Sequence, residues 1–236
     1  MTDMILPQAS LFLGIIPALI LLYFSLKGYE GYYKDKTIFL TFIIGIILGF
    51  ISAFVQSLTI FAIIYIILLA FFDQLFKTIV LNLGRLQEKS ETTIYGLSLG
   101  LGFGSSFTPF LIIAVSSLIT DNTYVLTSIA IGSLGIILFH GATSAYIGYG
   151  IYVGKLTKYL LTAVIIQLPF NFILAMTISY SNPESLNTQI VFVIGLVVYG
   201  SIVFWYVIRK IMPQILTSSM KRKRSGKITS GKKQDK

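Results

Sequence analysis

Residues 139–150 read Phe139-His140-Gly141-Ala142-Thr143-Ser144-Ala145-Tyr146-Ile147-Gly148-Tyr149-Gly150. The only histidine of the chain stands here, within an apolar segment that begins near Tyr124. An ionisable side chain at that depth in an apolar span is costly, and it faces a bundle interior or a watery cavity rather than lipid. Gly141, Ala142, Ser144, Ala145, Gly148 and Gly150 surround it, and such small residues let neighbouring helices approach closely. The stretch therefore predicts a tightly packed bundle built around one buried imidazole. Two readings of His140 stand side by side: a structural histidine hydrogen-bonded between helices, or a functional one.

Outward from this segment the chain is equally apolar. Hydrophobic residues make up 55% of the 236 positions and charged residues only 11%, against about 25% charged in an ordinary soluble domain. The length accommodates about seven spans of roughly 20 residues joined by short loops. The expectation is an all-α, polytopic, multi-pass protein of the cell membrane. Cysteine is absent, which excludes disulfides, thiolate catalysis and cysteine-type zinc sites. With one histidine, a metal site would need oxygen ligands to complete it. The first 25 residues do not read as a cleavable signal, because basic residues follow the first apolar run instead of preceding it.

In chain order, the predicted spans are 8–26 with Pro17 as a kink, 37–56, 58–83, 93–119, 124–153, 157–180 and 188–208. The fourth is glycine-rich, with Gly96, Gly100, Gly102 and Gly104 on or near one face, and Pro109 follows. Residues 1–211 form the transmembrane domain in this reading, and 212–236 a basic, disordered cytosolic tail. Charge sets the orientation. With the amino terminus outside, the cytosolic loops fall at 27–36, 77–92 and 154–158. They and the tail then hold all 18 basic residues. The outer connections hold acids such as Asp121 and Glu184. Such one-sidedness is the positive-inside pattern. The tail, with Lys221-Arg222-Lys223-Arg224, reads first as an anchor on anionic lipid, each basic residue near the surface contributing about 1 kcal/mol. A nucleic-acid partner is the weaker reading, since no aromatic residue is interleaved to stack on bases.

Three further polar groups interrupt the spans. Asp73-Gln74 is followed one turn later by Lys77; Asp73 and Lys77 are spaced to pair on one helix face, unless the span ends near Phe72 and the pair marks the interface. Gln167 and Asn171 share the same spacing around Pro169, which removes an intrahelical hydrogen bond near the middle of its span. Ser105, Ser106 and Thr108 form a hydroxyl cluster of the kind that bonds back to its own backbone or ties helices together. The sequence predicts that Asp73, Gln74, Lys77, His140, Gln167 and Asn171 line one interior cavity.

The order of these segments resembles the PrsW-type intramembrane proteases, within the glutamic intramembrane protease clan that includes the CAAX-processing enzymes. The likeness covers nearly all spans. Pro17 to Tyr23 with the charged 27–36 turn is similar to the family's opening element. Asp73-Gln74-Leu75-Phe76-Lys77 stands where the family has Glu-Glu-x-x-Lys, and Tyr95 to Phe103 resembles its glycine-rich element. His140 to Gly150 looks like its histidine element, and Gln167-Leu168-Pro169-Phe170-Asn171 falls at its second His-x-x-x-Asn/Asp. The resemblance implies that glutamates and histidines would bind or activate a water, directly or through a metal.

The departures bear on that chemistry. The glutamate pair reads Asp73-Gln74, the glutamate after the glycine-rich element is Phe107, the asparagine beside it is Thr108, and the second histidine is Gln167. Only Lys77, His140 and Asn171 match as they stand. Glutamine is no general base, and phenylalanine neither ligates nor transfers protons. One imidazole and one aspartate fall short of the three protein ligands that a catalytic zinc site uses. The favoured reading is a PrsW-like protein without hydrolytic chemistry, a pseudoprotease that binds a transmembrane peptide or partner membrane protein and needs no cofactor or metal. The first alternative is an active, divergent peptidase in which Asp73 and His140 are catalytic; zinc or another divalent ion belongs only to that alternative. A small transporter or channel is the second, since it too would use buried polar groups and broken helices.

Overall fold

The computed structural model describes residues 5–57, 63–84, 86, 89–107, 109–110, 123–180 and 185–216. Among these residues the chain is all helical: α1 (Ile5–Leu26), α2 (Asp35–Ser57), α3 (Ile63–Leu81), α4 (Glu91–Ser105), α5 (Thr123–Tyr152), α6 (Leu156–Ser179) and α7 (Leu186–Tyr206). A π-helical turn, Val207–Ile211, extends α7. Four stretches are long and apolar enough to cross a membrane, Asp35–Gln56, Ala130–Tyr152, Leu156–Ser179 and Leu186–Leu216, and a shorter apolar helix covers Phe12–Leu26. The outward side chains are those of a membrane protein. Phe39, Ile47 and Phe54 of α2, Ile67 and Phe71 of α3, Ile165 and Phe172 of α6, and Val191 and Ile202 of α7 are all exposed and apolar.

The glycine-rich helix α4 is the hub. Every residue from Thr92 to Ser105 is buried, and α1, α2, α3 and α5 all pack on it. A helix apolar on all sides belongs inside a bundle, and two glycines show how closely this one is gripped. A Cβ on Gly100 would collide with the backbone oxygen of His140 in α5, and one on Gly102 with the backbone oxygen of Phe42 in α2. At 15 residues α4 is about 22 Å long, short of the roughly 30 Å hydrocarbon core. The expected 93–119 span therefore divides: Ser106 is a turn, and residues 111–119 lie outside those described.

Loops that the sequence groups together do meet. The backbone N–H of Lys34, between α1 and α2, donates to the Tyr95 hydroxyl at the start of α4, 3.1 Å away. A Cβ on Gly148, near the end of α5, would strike the Thr92 backbone oxygen. Tyr149 donates through its hydroxyl to Gln214 beyond α7. One end of the bundle thus carries the 27–34 turn, the start of α4, the end of α5 and the chain after α7. Met212 and Ile215 are fully buried, so the packed domain continues past residue 211 to at least 216. The rest of the expected tail lies outside the described residues, as do Asp121 and Glu184.

Candidate functional site

Helix α3 turns opposite faces to the interior and the exterior. Ile67 and Phe71 are exposed, whereas Ala70, Asp73, Gln74, Lys77, Thr78 and Leu81 are buried, following the i, i+3, i+4, i+7 rhythm of one helical face. Its inward stripe is unusually polar, and the polar groups determine what it docks against. Lys77 was counted among the cytosolic loop residues on sequence; it is instead a helical residue with no exposed surface. Among the described basic residues, Lys27, Lys34, Lys36, Lys89, Lys155, Lys158, Arg209 and Lys210 are exposed, and Lys77 alone is buried.

The expected Asp73–Lys77 pair is not among the contacts of the described residues. Both oxygens of Asp73 are taken from other helices. Ser52 of α2 donates its hydroxyl to Oδ1, and Gln167 of α6 donates from Nε2 to Oδ2 at 2.7 Å. Lys77 has its own set of partners. Its Nζ donates to Gln74 Oε1 at 3.3 Å and to Thr143 Oγ1 at 3.4 Å, and it lies 2.9 Å from His140 Nδ1. Two carboxamides join the opposite charges, since Gln74 Nε2 donates to Gln167 Oε1. Every link runs in one sense: ammonium to amide, amide to amide, amide to carboxylate. Such a chain polarises its members in the same direction and gains from it in a low-dielectric interior. It also explains how a buried carboxylate and a buried ammonium are both tolerated.

The protonation states follow from the partners. An ammonium offers three protons, and Lys77 has three acceptors. Thr143 serves as one because its own hydroxyl donates to the Phe139 backbone oxygen at 3.1 Å. Asp73 receives only donors, as a carboxylate requires. With Lys77 as an ammonium donating to Nδ1, the neutral ring of His140 carries its proton on Nε2. That Nε2 has no hydrogen-bond partner and no exposed surface. Aromatic rings enclose the imidazole. Phe107 stacks on it at 5.3 Å and 19°, Phe103 lies 4.7 Å away, and Phe139 and Phe170 stand edge-on at 5.6 and 5.8 Å. Lys77 Nζ is also 4.6 Å from the Phe103 ring centre, a cation–π distance.

All six residues singled out on sequence belong to this one centre. Asn171 closes it on the α6 side: Gln167 Nε2 reaches its Oδ1 at 3.4 Å, and its Nδ2 donates to the Ile66 backbone oxygen of α3 at 3.3 Å. Near Pro169, Tyr199 of α7 donates to the Ile166 backbone oxygen at 2.8 Å. Sequence reasoning missed Ser52, Thr143 and Phe103. Ser52 carried one weak signal, a hydroxyl within the otherwise apolar run 42–55; Thr143 carried a better one, three residues from His140 on the same face. The hydroxyls of Ser105 and Ser106 bond back to Gly102 and Phe103 of their own helix; Thr108 is outside the described residues.

The donor set is a poor match for a divalent cation. No group of three His, Cys, Asp or Glu side chains converges among the described residues. The imidazole lone pair faces an ammonium, and the only carboxylate already accepts two hydrogen bonds. No family model, curated protein or solved structure matches the chain.

Proposed function

We propose that this is a PrsW-like, seven-span membrane protein that binds a transmembrane segment of a partner without hydrolysing it. The observation that carries the reading is the hydrogen-bonded path between the two groups a hydrolase would need. Asp73 and His140 are separated along it by Gln167, Gln74 and Lys77. Each oxygen of Asp73 already accepts a hydrogen bond from the protein, Oδ1 from Ser52 and Oδ2 from Gln167. His140 presents an N–H where a general base would present a lone pair. The place at which the family would supply a further glutamate holds Phe107, stacked on the imidazole.

The seven-span arrangement, amino terminus outside and tail in the cytosol, has two supports. Seven helices are present among the described residues, and the basic connections meet at one end through the Lys34–Tyr95 and Tyr149–Gln214 contacts. The short helix α4 takes part in the count as a buried element lined by its neighbours.

The test is a cleavage assay with a model transmembrane substrate in bilayers, run for the wild type, His140→Ala and Asp73→Asn. The expected outcome is no cleavage by any of them, with photo-crosslinking of the intact substrate to α3 or α6. Cleavage by the wild type that both substitutions abolish would replace this reading with the active peptidase.

A further inference from the structure

The centre is complete in hydrogen bonds except at one atom. Lys77 matches its three protons with three acceptors, Asp73 has a donor on each oxygen, and the two glutamines use both ends of their amides. His140 Nε2 alone is left, a buried N–H without an acceptor. A group in that position has lost its water and gained nothing in exchange.

We propose that His140 Nε2–H is the recognition point for a neutral carbonyl oxygen, supplied by the backbone of the bound membrane segment, and that Lys77 fixes it in the donating state. This rests on the partner-binding reading and gives the chemistry of the bound group. Three features select that class. The tautomer follows from the neighbour: Lys77 Nζ lies 2.9 Å from Nδ1, and an ammonium there donates to Nδ1, which puts the hydrogen on Nε2 and leaves that atom no lone pair for a metal ion or a proton. The charge is already balanced, because Asp73 and Lys77 offset each other through the amide chain, and an arriving anion would find no free counter-charge. The surroundings are the apolar rings of Phe103, Phe107, Phe139 and Phe170, which favour an acceptor of low desolvation cost. In the interior of a membrane, a backbone carbonyl released at a break in a helix meets all three conditions. Lys77 is thus a positioning residue for His140 rather than a contact of the ligand.

A single histidine makes the test direct, since ¹⁵N-histidine labelling reports one ring only. The protein is placed in nanodiscs of ether-linked lipid, which contain no ester carbonyls, and the probes are N-methylacetamide as a peptide carbonyl and zinc chloride as a cation. The expected wild-type spectrum has a pyrrole-type Nε2 with its hydrogen attached and a pyridine-type Nδ1. Amide addition moves the Nε2–H signal downfield, zinc moves neither signal, and Lys77→Met loses the single tautomer and the amide response. A wild-type ring protonated on Nδ1, a zinc-dependent shift at Nε2, or an Nε2–H signal indifferent to the amide would each overturn the proposal. So would an amide-like shift that arises in ester-lipid discs alone, which would assign the slot to lipid. Catalysis is read separately: a cleaving protein with the expected tautomer and amide response would defeat the non-hydrolytic reading and leave the donor assignment standing.

Discussion

Lys77 Nζ of α3 lies 2.9 Å from Nδ1 of His140 in α5, joining residues 63 positions apart, and neither side chain has any exposed surface. The contact gives Lys77 a partner on α5, while the carboxylate one turn earlier on the same helix has its hydrogen bonds elsewhere. It leaves that carboxylate to be met by Ser52 and Gln167, so α2, α3, α5 and α6 are tied into one polar centre.

Removal of one charge should therefore be far worse than removal of both. Lys77→Met leaves His140 Nδ1 and Gln74 Oε1 without donors and Asp73 without its distant counter-charge. A loss of about 3–5 kcal/mol is expected, the usual result of breaking a buried pair on one side. Lys77→Met combined with Asp73→Asn should recover a large part of it. Reversible unfolding in mixed micelles measures both; a double variant no more stable than Lys77→Met would show that the two charges are not coupled.

Ser52→Ala tests the α2 end of the network. One of two donors to Asp73 disappears while helix geometry is retained, and hydrogen bonds to charged groups contribute about 1.5–3 kcal/mol. The expected destabilisation is in that range, with little change in Ser52→Thr if the methyl group fits. Equal stability of Ser52→Ala and wild type would remove Ser52 from the centre.

Gly100→Ala should disturb the centre without touching a polar atom. Its Cβ meets the His140 backbone oxygen and the Ser144 side chain, so α4 and α5 must separate. Overpacking of this kind costs about 1–3 kcal/mol. The His140 ring ¹⁵N signals should shift in the same variant, whereas Gly132→Ala, with only the tip of Val193 nearby, should leave them in place.

At the loop end, Glu30 gives a pH dependence with a defined sign. The Gly28 backbone N–H donates to its carboxylate at 2.9 Å and holds its pKa below the ordinary 4.5. A carboxylate whose folded pKa is lowered stabilises the fold above its unfolded pKa, and that contribution is lost as pH falls through the folded one. The stability difference between wild type and Glu30→Gln should be present above about pH 4.5 and vanish on further acidification; a difference that persists at pH 2 would contradict the assignment.

Orientation can be probed on a chain that has no native cysteine. Cysteines at positions 27 and 155 should label from the cytosolic side and one at position 121 from the opposite side. A cysteine at 77 should resist both reagents until the protein unfolds. Labelling of position 121 from the cytosol would invert the proposed topology.

Apolar composition was enough to read a helical membrane protein from sequence, because burial of backbone polar groups in lipid leaves a helix as the ready solution for each apolar run. His140, Asp73, Gln167 and Asn171 were legible for a related reason: a polar side chain in such a run needs a partner, whichever helix supplies it. The identity of the partner was not legible. Spacing on α3 favoured Asp73 with Lys77, and the positive-inside pattern drew Lys77 into a loop, since both rules look only along the chain. Only the packing of α3 against α5 and α6 could reverse them. It brings an imidazole, a threonine hydroxyl and two carboxamides within 3.4 Å or less of groups far away in sequence, and in a buried, low-dielectric interior the nearest polar atom, rather than the nearest in sequence, decides where each proton is held.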